Sequence, residues 1–142
     1  MEPLLFSNGE DFLEMHLQVE EDSSLPSHGD AYVTMRVASA GFTGHNDFWI
    51  QADALRNFAA DLVRLDGSLS GQANLESISP NELNLTVRSV SSRGHLAIAG
   101  SLGYEVRREN STFWHSAAFG FEFEPAQLAM ACQHDLVRRY AG

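Results

Sequence analysis

The sequence predicts an α+β fold: a curved, mainly antiparallel sheet of about six to seven strands with two α-helices, one in mid-chain and one at the C-terminus. Two observations carry that expectation. Stretches of strict two-residue alternation recur along the chain, and short polar or glycine-bearing turns separate most of them, as antiparallel neighbours require. Two other stretches switch to helical spacing, and each begins and ends on residues that suit helix termini. At 142 residues and 44% hydrophobic content the chain is expected to form one domain, residues 1–142, with a core that needs no staples.

Residues 13–20, LEMHLQVE, set Leu13, Met15, Leu17 and Val19 on one side and Glu14, His16, Gln18 and Glu20 on the other, the mark of a half-buried strand. A polar loop follows, EEDSSLPSHGD. Residues 31–37 alternate again, with Ala31, Val33, Met35 and Val37 inward. Pairing of these two strands would bring Arg36 within reach of the acids on the first. Residues 39–51, SAGFTGHNDFWIQ, read as a bend or hairpin made flexible by two glycines, with His45 and Asp47 inside the turn. A helix then begins, with Asp53 as its expected N-cap, an apolar stripe of Leu55, Phe58, Ala59, Leu62 and Leu65, and Gly67 as its stop.

The second half returns to strands. Residues 71–79 and 82–90 flank Ser79-Pro80-Asn81, and Ser91-Ser92-Arg93-Gly94 marks another turn. Leu96, Ile98, Leu102, Tyr104 and Val106 share one parity, with Ala97, Ala99, Ser101 and Gly103 opposite. Phe113, Phe119, Phe121 and Phe123 repeat the pattern against Ser116, Ala118 and Gly120. A helix or second layer is expected against the small side. Pro125 then opens one continuous helix with the stripe Leu128, Cys132, Leu136 and Tyr140.

Charge is unevenly spread. Residues 1–30 hold eight acids and no Arg or Lys, whereas the remaining 112 residues set eleven acids against nine arginines. Such a segment repels nucleic acid and anionic membranes and attracts a basic partner. A strand edge and loop bearing Glu14, Glu20, Glu21 and Asp22 are the candidate protein-binding residues; the plainer role for the same acids is a solubilising, aggregation-resistant edge. No leader or membrane-spanning stretch is read, so the expected location is cytoplasmic.

No catalytic, cofactor-binding or metal-ligating residues are predicted. His45-x-Asp47 is explained by turn chemistry, Cys132 by packing on a helix stripe, and His115 by its parity with buried phenylalanines. The six histidines lack zinc-site spacing, and there is no P-loop, dinucleotide fingerprint or nucleophile elbow. The single cysteine excludes an internal disulfide.

Phe42-Thr43-Gly44, Trp49, the Leu55, Phe58 and Leu62 triplet, then Gly71, Ala73 and Leu75 form a pattern that continues in residues 94–100 and 120–128. It resembles small bacterial immunity proteins of wall-associated and other polymorphic toxins. The resemblance covers most of residues 30–128, mainly at core and turn positions, and transfers no catalytic motif. It implies a non-enzymatic protein that inhibits a toxin by occlusion; the acidic first thirty residues, which lie outside the match, would steer it toward a basic toxin domain. The alternative is a small-molecule-binding domain or small enzyme with a pocket in the curved sheet lined by Trp49, Tyr104 and Trp114. A homo-oligomer is left open.

Overall fold

The computed structural model describes residues 2–142. Its strands form two antiparallel four-stranded sheets. The first runs β1 (Leu4–Ser7), β2 (Phe12–Val19), β3 (Ala31–Ser39) and β4 (Phe42–Ile50) in chain order. Helix α1 (Ala52–Ser68) leads to the second, made of β5 (Gln72–Glu76), β6 (Leu83–Ser89), β7 (Leu96–Arg107) and β8 (Thr112–Phe123). Two short helices follow, α2 (Pro125–Cys132) and α3 (Asp135–Ala141). The α+β, antiparallel class stands, while the strands number eight and divide between two sheets.

The alternating patterns supply the core. Leu13, Met15, Val33, Met35, Val37, Phe48 and Ile50 point in from the first sheet, and Leu83, Leu85, Val87, Leu96, Ile98 and Leu102 from the second. The stripe predicted on α1 is buried in full and lies over both sheets, with Leu136 and Val137 of α3 beside it. From Leu96 to Leu102 and from Phe121 to Phe123 the large side of β7 and β8 therefore faces the core, while Tyr104 and Phe113 nearer the hairpin tip are exposed. No helix covers the small side, where Ala118 and Gly120 are exposed, so the layer expected there is absent. Burying the large stripe removes far more apolar area from water than burying its small counterpart would.

Four local expectations are corrected. The bend after Ser39 is only the pair Ala40–Gly41, both at positive φ (53° and 83°), and β4 begins at once. Gly44 lies within that strand because a Cβ there would stand 3.0 Å from the Cβ of Ala117 on β8. Helix α1 is capped from outside: the Ala52 N–H donates to Asp30 Oδ1 at 2.9 Å, and Asp53 pairs with Arg56 in the first turn. Since Ala31 lies opposite Ile50, the ladder itself brings Asp30 to that helix end.

The same helix runs through Gly67 and stops at Leu69, which takes the left-handed conformation (φ 54°) and donates its N–H to the Leu65 carbonyl. The C-terminal helix is two helices. His134 breaks it with an extended backbone and caps α3, its Nδ1 accepting from the Leu136 N–H at 3.1 Å. The opposite nitrogen, Nε2, reaches the Glu2 carbonyl at 2.8 Å.

Where the sheets meet, two buried polar side chains join them. Ser39 Oγ donates to the Gly120 carbonyl at 3.1 Å, and Asn46 Nδ2 donates to the Gly103 carbonyl at 2.7 Å. The Asn46 bond is fully buried and satisfies a carbonyl inside the protein, as a stable interior requires, whereas the Ser39 bond is only partly buried.

Candidate functional site

All three helices and the second sheet lie on the inner side of the first sheet, so its outer face has no cover. The ladders arrange that face in rows. Glu14, Arg36 and His45 stand abreast, then His16, Thr34 and Asp47, then Gln18, Tyr32 and Trp49. In the first row Arg36 pairs with Glu14 at 3.2 Å, the cross-strand contact that alternation predicted. Arg36 is exposed and Glu14 partly buried, so solvent still screens the pair and its contribution to stability is small.

In the third row the rings of Tyr32 and Trp49 lie 5.4 Å apart at a tilt of 56°. They wall a shallow depression with Gln18, Val19 and Glu20. Exposed Ile78 is tethered to the same strand end, its N–H donating to the Trp49 carbonyl at 2.9 Å. Acids surround the depression. The Tyr32 phenol is pushed above its ordinary pKa first by desolvation, then by a hydrogen bond to Asp47, and further by the charges of Asp47 and Glu82. An exposed tryptophan backed by a half-buried tyrosine, with an acidic rim, is the composition of an interface anchor.

The four predicted acids occupy different settings. Glu14 and Glu20 share the outer parity of β2, and Glu20 borders the aromatic depression. Glu21 turns to α3, where Arg139 holds its carboxyl below the usual range, chiefly by a hydrogen bond. Asp22 accepts from the N–H and hydroxyl of Ser24, which lowers its pKa in the same way. The Tyr140 hydroxyl, donating to the Gly29 carbonyl at 2.7 Å, fixes the far end of this acidic loop.

Sequence reading missed Tyr32, Asp47 and Trp49 as one group. The signal was present, since Thr43, His45, Asp47 and Trp49 alternate with the buried Asn46, Phe48 and Ile50. Gly41 and Gly44 disguised it by placing the turn too late.

Trp49, Tyr104 and Trp114 do not converge on a pocket. Trp49 lies on the first sheet, and Tyr104 and Trp114 take opposite parities on the β7–β8 ladder. His45 and His115 do meet, lining with Tyr104 a cleft of about 170 Å³ between the sheets. His115 is exposed there, not buried as its parity implied, because the hairpin runs beyond the body of the protein. Among the described residues no group of three His, Cys, Asp or Glu is arranged to hold a metal. Cys132 is buried, and desolvation pushes its thiol up to about 11, the opposite of activation.

These features define a small two-sheet α+β protein whose outstanding surface is a sheet face with an aromatic pair at one end and acids around it. The model of the immunity protein WapI-like family matches residues 4–134, and the chain belongs to that family. No curated protein and no solved structure matches it. Among the described residues no helix is long and apolar enough to cross a membrane.

Proposed function

We propose that this protein is a cytoplasmic immunity protein that inhibits a toxin domain by occlusion and carries out no chemistry itself. Membership of the WapI-like immunity family is the observation that carries this reading. The uncovered face supports it, since Glu20, Asp47 and Glu82 around Tyr32 and Trp49 suit a basic toxin surface. Long-range attraction would speed the encounter, and the aromatic pair would hold the complex once formed. Glu14, Glu20, Glu21 and Asp22 are assigned to steering, with Glu20 nearest the contact.

The test is co-expression of the chain with the toxin domains of its source cell, read as survival. Rescue with a stoichiometric complex is expected, and failure to relieve any of these toxins would overturn the reading. Reversing Glu14, Glu20, Glu21 and Asp22 to Arg should slow association and flatten its salt dependence. Trp49→Ala should instead raise the dissociation rate while leaving that salt dependence in place.

A further inference from the structure

Strand β8 is an edge of the second sheet, and its two ends are treated differently. Its register with β7 closes at Arg107↔Thr112, beyond which the Arg108 N–H donates to the Ser111 carbonyl. By the alternation of an antiparallel ladder, Thr112, Trp114, Ser116, Ala118, Gly120 and Glu122 turn their N–H and C=O away from β7. Near the body this row is occupied. Gly120 C=O accepts from Ser39 Oγ, and Glu122 C=O accepts from Asn8 Nδ2 at 3.1 Å. Toward the tip, the outward groups of Thr112, Trp114 and Ser116 have no partner among the described residues.

The other edge strands differ: β1 and β5 are only four and five residues long, and β4 carries Asp47 and gives its Trp49 carbonyl to the Ile78 N–H. The free part of β8, Thr112–Ser116, also lacks charge and proline, two of the usual guards of an open edge. The strand as a whole is twelve residues long, and the run from Asn110 to Phe121 contains no charged residue. Phe113 and Trp114 lie on it at 52% and 50% exposure, an unusual position for two large aromatics. The Trp114 ring rests over Gly103, where a Cβ would come within 2.4 Å of it. A defined strand with one bare edge is thus held out from the body.

We infer that this edge pairs with the same edge of a second copy, antiparallel about a twofold axis through Trp114. Identical antiparallel strands close a dimer by that operation alone. The axis uses the whole free segment, setting Thr112 opposite Ser116 of the second copy and Phe113 opposite its His115. Pairing ends before Ala117, where Gly44 already packs. The chain carries a net charge of −10, yet its acid-rich first thirty residues belong to the other sheet and its approach, so the contact brings two neutral edges together. The product is a continuous sheet across both copies, with Phe113 and Trp114 covered. The outer face bearing Tyr32 and Trp49 stays free, so the dimer does not depend on the toxin-binding reading.

Sedimentation velocity of the purified chain over a micromolar concentration series tests this. The mass should rise from the 15.6 kDa monomer toward twice that value. Trp114→Lys sets two like charges across the axis and should weaken dimerisation at least about tenfold, or about 1.4 kcal/mol. Ser116→Lys, at an exposed position that cannot disturb the core, should do the same, and Trp49→Lys should not. Amide exchange at Trp114 and Ser116 should slow as concentration rises. A chain that stays monomeric, or a dimer indifferent to both β8 variants, would overturn the inference; in the first case a strand of another protein becomes the occupant to seek.

Discussion

Asn46 Nδ2 donates to the carbonyl oxygen of Gly103 at 2.7 Å, from the middle of β4 to the second half of β7. The Asn46 Oδ1 also accepts from the Asp47 N–H at 2.9 Å, so both ends of the amide are used. Asn46→Ala strands a buried carbonyl as well as removing the bond. A loss of about 1–3 kcal/mol is expected, read as a lower midpoint in urea at unchanged slope. A midpoint within error of the parent would mean that water replaces the amide.

His134 is the hinge and cap of the C-terminal helices. Truncation in His134→Ala leaves the Leu136 N–H without its acceptor and releases the Glu2 carbonyl. A cost of about 1 kcal/mol is expected, with faster amide exchange confined to α3. His134→Asn, which keeps a capping acceptor, should recover most of it.

The tie between the acidic loop and α3 should weaken in acid. Arg139 lowers the folded-state pKa of Glu21 from its ordinary 4.5, so the contribution is present above that value and fades as pH falls through the lowered one. Protection of the amides across residues 21–30, taken relative to the intrinsic exchange rate at each pH, should therefore fall in acid, and Glu21→Gln should remove the share owed to Arg139 while leaving the Asp22–Ser24 contacts and the Tyr140 anchor intact. Because both partners are exposed, the effect should also shrink with salt.

Cys132 gives the opposite sign. Its thiol is raised from 9.0 to about 11 in the folded protein, so above pH 9 the unfolded chain loses the proton first. Stability should fall on the alkaline side through this group, and Cys132→Ala should flatten the decline there. Near neutral pH, alkylation should be slow and follow the population of the opened state, since the side chain is only 7% exposed.

What was legible in the sequence was local periodicity. The inward sets of β2, β3 and α1 are those that spacing picked out, and Arg36 reaches Glu14 as the parity of two paired strands demands. What escaped depended on residues distant in the chain. Asp30 caps a helix 22 positions later because a ladder carries it there, which no local signal records. The division into two sheets follows from β4 passing to α1 rather than to another strand. In the candidate site the acids of the first thirty residues were visible, but Tyr32 meets Trp49 only through the β3–β4 register. His134 was hidden differently, as histidine is not among the common capping residues.

All six ladders join strands that are neighbours in the chain. Each sheet can therefore zip up from its own hairpins without waiting for the other, and the entropy of closing long loops is met late, when the sheets dock. For a protein this rich in strands, folding should be correspondingly quick. The slow search would then be concentrated in one event, the docking that lets Ser39 and Asn46 find the carbonyls of Gly120 and Gly103.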